Sequence, residues 1–123
     1  MLPAHAQQVR IDVTHPPDET ADVRVALYNS PGSWLEIPAF TKVVPATDTL
    51  TVVRFDSLPA GTYGAAIFLD ENRNGELDRN LVGWFTEPFG FSERARARFG
   101  PPKWEDARFR VGEGPLHLRA RIE

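Results

Sequence analysis

A chain of 123 residues with a formal net charge of −3 is long enough for one hydrophobic core and too short for two domains. The acidic balance lacks the basic excess of nucleic-acid binders, and no apolar run approaches the ~18 residues of a membrane span. The absence of cysteine excludes disulfides, thiolate metal sites and cysteine nucleophiles together.

At the start of the chain, Ala4-His5-Ala6 before Gln7-Gln8 has the small-x-small form of a signal-peptidase site. Residues 1–8 therefore read as a signal-peptide remnant or a disordered tail, and residues 9–123 as a single β-sandwich domain. The expectation is a periplasmic or secreted protein, exported through a signal peptide cleaved after Ala6.

Alternating apolar residues, the period-two mark of half-buried strands, run through Val9, Ile11 and Val13 and again through Val23, Val25 and Leu27. His15-Pro16-Pro17-Asp18 separates these two segments as a turn. Pro38 and Pro45 forbid a long element between Ser33 and Thr47, so that stretch reads as a crossing loop with one short edge strand. Leu50, Val52 and Phe55 mark a third clear strand. Pro59-Ala60-Gly61 then turns the chain into a fourth from Thr62 to Leu69, and the two are expected to pair as a hairpin.

Leu81 to Phe85 suits a short strand, and Phe109 with Val111, then Leu116, Leu118, Ala120 and Ile122, supply the last two. Ser92 is placed to cap a helical turn over Glu93 to Phe99, which Gly100 and Pro101 would end. A second turn is expected at Trp104 to Ala107. About seven short strands without a long amphipathic helix predict an all-β, antiparallel sandwich. Val23, Val25, Leu27, Val52, Ala65, Ile67, Leu69, Leu116 and Leu118 are expected to point inward.

The segment from Asp70 to Asp78 carries the most specific chemistry. Asp70, Asn72, Asn74 and Asp78 put side-chain oxygens at loop positions 1, 3, 5 and 9, with Gly75 at 6 and the carbonyl of Glu76 as a further ligand. That is the front of a calcium loop, since hard cations take six to eight oxygens and a tightly curled loop aims alternate residues inward. Position 12 is Leu81, so the bidentate glutamate of an EF-hand is absent. Asn74-Gly75 alone also makes a good hairpin tip, but a tight turn needs two such residues, not four oxygen-bearing positions in register. The expected cofactor is Ca2+.

Trp84, Phe85, Phe89 and Trp104 belong to an aromatic stretch that either packs as core or offers a surface to a sugar or a partner chain. His5, His15 and His117 lack metal-ligand spacing and read as satisfied or exposed side chains. No serine sits in a Gly-x-Ser-x-Gly elbow, and acidic pairs such as Glu105-Asp106 read as solvated surface. No catalytic residue is expected.

The ordered series Leu58-Pro59-Ala60-Gly61-Thr62-Tyr63, Phe68-Leu69-Asp70 through Asp78, Gly90-Phe91-Ser92, Phe99-Gly100-Pro101-Pro102, Ala107 and Phe109 resembles a bacterial exported family, domain of unknown function 2141. The likeness spans residues 55 to 111. It implies export and a sandwich fold, and it implies no activity. Trp84 and Phe85 depart from the smaller residues expected of the family there. The hairpin and DxNxNG loop are also similar to calcium-binding, immunoglobulin-like or prealbumin-like repeat domains of surface adhesins.

The functional expectation is a non-enzymatic calcium-binding module of the cell envelope or exterior, with an adhesive, structural or self-assembling role through a surface partner or its own copies. The alternative is a carbohydrate or small-ligand module using residues 84–104, and a hydrolase ranks third.

Overall fold

The computed structural model describes residues 6–17, 20–70, 89–92, 102–112 and 114–122. Alternating apolar segments form β1 (Ala6–Thr14), β2 (Asp22–Tyr28), β3 (Phe40–Pro45), β4 (Leu50–Pro59) and β5 (Gly61–Asp70). After these come β6 (Phe89–Phe91), a single helical turn α1 (Trp104–Ala107), β7 (Phe109–Val111) and β8 (Leu116–Arg121). The expected Leu81–Phe85 strand and Glu93–Phe99 helical turn lie outside the described residues.

Two sheets stack face to face. One has the order β4-β1-β8; the other runs β3-β2-β5-β6, with β7 also on β5. Among the described residues every pairing is antiparallel except β1 with β8, which run parallel. Between the sheets Val9, Ile11, Val13, Val23, Val25, Leu27, Ala65, Ile67 and Leu69 are almost completely buried. Fully burying a side chain of valine or leucine size contributes about 1.5–3 kcal/mol, so this layer is what holds the sheets together. Leu116 and Leu118 are half-buried and pack against it, while Ala120 and Ile122 close its end.

Two expectations are corrected. The strand phase of β4 is the opposite of the predicted one: Val52 is only half-buried and Leu50 is 48% exposed, whereas Thr51, Val53 and Phe55 face the core. Register is the cause, because Val9, Ile11 and Val13 sit opposite Phe55, Val53 and Thr51, and directly opposed residues share a face. The Thr51 hydroxyl is satisfied inside: it pairs with His15 Nε2 at 2.7 Å and accepts from the Thr47 amide at 3.0 Å. An irregularity between Gln7 and Val9 then shifts the phase, so that Leu58 also faces inward.

The second correction concerns β4 and β5, which do not form a hairpin: β4 pairs with β1 and β5 with β2, in different sheets. Residues 63–67 of β5 are buried without alternation, the pattern of a strand covered on both faces. Pro59, with no N–H, ends β4 at a sheet edge. The Tyr63 hydroxyl donates to the Pro59 carbonyl at 2.7 Å and fixes the corner at which the chain changes sheet.

The free edge of β5 is shared: β7 pairs with residues 61–63 and β6 with residues 66–68. Ser92 fills the interval. Its buried hydroxyl accepts from the Ala65 amide at 2.8 Å and donates to the Ala107 carbonyl at 2.5 Å. The sheets also touch at their margins. Lys42 of β3 donates to the Arg54 carbonyl of β4, and a Cβ on Gly90 of β6 would collide with the Arg121 carbonyl of β8.

A second cluster covers the outer face of the five-stranded sheet. Trp34 packs on Tyr28, Phe91 and Trp104, with ring centroids 5.3, 6.1 and 5.8 Å away, and its indole donates to the Pro102 carbonyl at 2.9 Å. Ala26, Gly64 and Ala66 supply the floor, and only small residues leave room for two indoles. A Cβ at Gly64 would lie 2.8 Å from the Trp34 ring and 3.1 Å from Trp104. Leu35 holds φ at 61° in this cluster, a left-handed conformation that is an outlier for a bulky residue.

Candidate functional site

Asp70 is the last residue of strand β5 and the first of the oxygen-rich sequence 70–78. Its side chain lies on the outer face of the sheet yet is 0% exposed. Arg24, on the same face of β2, stands opposite Phe68 and so reaches Asp70 along the diagonal. The contact is a direct ion pair, Nε donating to Oδ2 at 2.6 Å, with Arg24 27% exposed. A buried carboxylate demands such a partner, because the desolvation cost of an unpaired one is several kcal/mol.

Of the other residues predicted to ligate metal, Asn72, Asn74, Glu76 and Asp78 lie outside the described residues, as do Trp84 and Phe85. Among the described residues no group of three or more histidines and carboxylates is gathered for a metal. Phe89 is half-buried and stacks edge-on against Phe91 with centroids 5.6 Å apart. Trp104 is 7% exposed and belongs to the second cluster.

Several polar contacts had no single-residue signal. Asp12 takes Arg10 Nε on Oδ1 at 2.8 Å and His117 Nε2 on Oδ2 at 2.9 Å, across β1 and β8. Burial pushes the Asp12 carboxyl up, but the hydrogen bonds from Arg10 and His117, with their charges, outweigh it and hold the group below its ordinary value. Burial also raises the Tyr63 phenol above its ordinary value. His15 is buried, with Nδ1 donating to the Pro16 carbonyl at 2.8 Å. Arg24 could have been noticed as a charge alternating with Val23 and Val25; its partner at Asp70 is a product of the β2–β5 register alone.

The described elements thus define a small all-β sandwich in which strand β5 ends on a buried carboxylate, the first residue of an aspartate- and asparagine-rich sequence. Residues 11–119 match the family described as "Uncharacterized protein conserved in bacteria", domain of unknown function 2141, and the chain belongs to it. No curated protein and no solved structure matches it. No helix among the described residues is long and apolar enough to cross a membrane.

Proposed function

We propose that this protein is a non-enzymatic, calcium-stabilised β-sandwich of the cell envelope that acts through its surface as an adhesive, structural or self-assembling module. The observation that supports it most is Asp70: a fully buried carboxylate, fixed by Arg24 at the end of the central strand, at the first position of a DxNxNGxxD sequence. In this reading Asp70, Asn72, Asn74 and Asp78 give side-chain oxygens, Glu76 its carbonyl, and water the remainder. Kinship with calcium-binding adhesin modules is part of the same proposal.

With two formal negative charges in the shell and a guanidinium on the first ligand, the site resembles low-affinity extracellular modules with dissociation constants of about 0.1–1 mM. At the tight end of that range, about 2 mM free calcium stabilises the fold by about 1.8 kcal/mol, or several degrees of melting temperature. Magnesium, which sheds water reluctantly and wants a small octahedral shell, does much less. Edge strand β3 supports a role in contact with other chains: Phe40 and Val43 are 37% and 44% exposed on it, near Ile37 at 71%.

Melting curves in chelator and in millimolar calcium, with calorimetry, test the metal, and Asp78→Ala is expected to abolish the calcium-dependent part while leaving a folded domain. Identical curves and no binding heat for the wild-type protein would end the proposal. Light scattering in millimolar calcium tests self-association. Intact mass of protein recovered outside the cytoplasm tests export, with Gln7 expected at the mature terminus.

A further inference from the structure

The outer face of the β4-β1-β8 sheet carries an unusual row. Arg54 of β4, Arg10 of β1 and His117 of β8 stand directly opposite one another in register, so neighbouring Cβ atoms are about 4.5–5.5 Å apart. Like charges placed opposite each other cost a sheet stability. Asp12 answers Arg10 and His117, whereas Arg54, which is exposed, has no ion pair with a carboxylate among the described residues. A groove of about 410 Å³ opens over this row, lined by Gln8, Arg10, Arg54, Pro115, Leu116 and His117. Its size falls within the range of small-molecule sites, which combine apolar walls with a few convergent polar groups.

We infer that this groove binds a small molecule through a carboxylate, received between Arg54 and Arg10. A guanidinium presents its donors as a planar fork that matches a carboxylate in two parallel hydrogen bonds; Arg10 already directs Nε and Nη2 to Asp12, so Arg54 supplies the fork and Arg10 its remaining donors. Asp12 does two things: it fixes Arg10 and His117 in place and it offsets one of the two guanidinium charges. One unit of positive charge is left in the arginine pair, which suits a singly charged carboxylate better than a dianionic phosphate. Pro115 and Leu116 then cover the body of the ligand, and Gln8 offers an amide for a hydroxyl or carbonyl. A sheet face that keeps opposed arginines at a cost in stability has the mark of a site kept for a ligand. This inference is independent of the proposed calcium ligands, of which the described one, Asp70, ends β5 in the other sheet.

The test is a titration of the isotopically labelled protein, followed by backbone amide shifts, with glucuronate, glucose, benzoate and inorganic phosphate. Glucuronate and glucose differ only in a carboxylate replacing a hydroxymethyl group, so they isolate the charge. A carboxylate probe is expected to bind with a dissociation constant of about 1–10 mM, shifting amides of β1 and β8 beside the groove, while glucose does nothing and phosphate binds more weakly. Arg54→Gln is expected to weaken that binding about tenfold or more, the usual loss for a hydrogen bond to a charged group. The same variant should melt at an equal or higher temperature, because it relieves the arginine pair. Arg119→Gln, a charge removed from the same face outside the groove lining, should leave binding intact. The inference is overturned by any of four results: neither glucuronate nor benzoate binding up to about 20 mM, glucose binding as well as glucuronate, phosphate binding more tightly, or Arg119→Gln costing as much as Arg54→Gln.

Discussion

Arg24 Nε lies 2.6 Å from Oδ2 of Asp70, joining neighbouring strands across the outer face of the five-stranded sheet. The acid is completely enclosed and the arginine reaches solvent, so the pair behaves as a buried charge escorted from the surface by Arg24. Removing the escort while keeping its apolar stem, as in Arg24→Met, takes from the buried carboxylate the charge 2.6 Å away that offsets its desolvation. The expected loss is about 2–4 kcal/mol, toward the lower side of values for a broken buried pair because Arg24 is partly solvated. Urea unfolding measures it. The double variant Arg24→Met with Asp70→Asn should recover much of the loss, as contacting residues do in a cycle. A single-variant loss below about 0.5 kcal/mol would mean that Asp70 does not depend on Arg24.

Much of this architecture was legible in the sequence, and what was not has a common cause. Val9 to Val13 and Val23 to Leu27 declare their strands because one face of each is apolar and alternation reports it directly. The edge strand within Ser33 to Thr47 and the helical turn at Trp104 followed from proline placement and turn chemistry. What failed depended on partners distant in the chain. Alternation cannot say which of two adjacent faces of β4 is inside when Thr51 is satisfied by His15, nor that Pro59-Ala60-Gly61 is a corner between sheets and not a hairpin tip. The Arg24–Asp70 pair and the Arg54–Arg10–His117 row exist only once register is set. The loop residues Asp70 and Asn72 to Asp78, by contrast, were selected on local spacing, and of these the described structure places Asp70.

Gly64 is the floor of the tryptophan cluster. Gly64→Ala would bring a methyl group to 2.8 Å from the Trp34 ring and 3.1 Å from that of Trp104. Overpacking of this kind typically costs about 1–3 kcal/mol, and here both indoles must shift. The expected result is a lower urea midpoint together with altered tryptophan fluorescence and near-ultraviolet circular dichroism. Unchanged spectra would show that the indoles do not rest on this position.

The acid limb of stability should depend on Asp12. Its carboxyl is held below the ordinary value of 3.8 by Arg10 and His117 despite the opposing effect of burial. A depressed folded-state value means that the unfolded chain takes up the proton first as pH falls. The contribution is therefore fully present above the unfolded value and is lost as pH drops through the folded one, in the region below about pH 4. Asp12→Asn should lower stability at neutral pH and flatten the fall below pH 4 relative to the wild type. Thermal melts from neutral pH down to about pH 2.5 would show it, and parallel wild-type and variant profiles across that range would remove Asp12 from the account.

Ser92 is the remaining test, because a single hydroxyl bridges the gap that β6 and β7 leave along β5. It accepts from the Ala65 amide at 2.8 Å and donates to the Ala107 carbonyl at 2.5 Å, and it is 3% exposed. Water cannot easily replace it at a site so enclosed. Ser92→Ala removes both contacts while changing side-chain volume little, so its cost should come from backbone groups left without this partner. Each such group typically costs about 1–3 kcal/mol, and a total of about 2–4 kcal/mol is expected from urea unfolding. Hydrogen exchange gives the sharper reading: the Ala65 amide should lose protection beyond the global loss of stability, while the Ala26 and Ala66 amides, which face each other across β2 and β5, should follow the global change only. If Ala65 stays as protected as Ala66 in the variant, the edge of β5 is closed by something other than this hydroxyl.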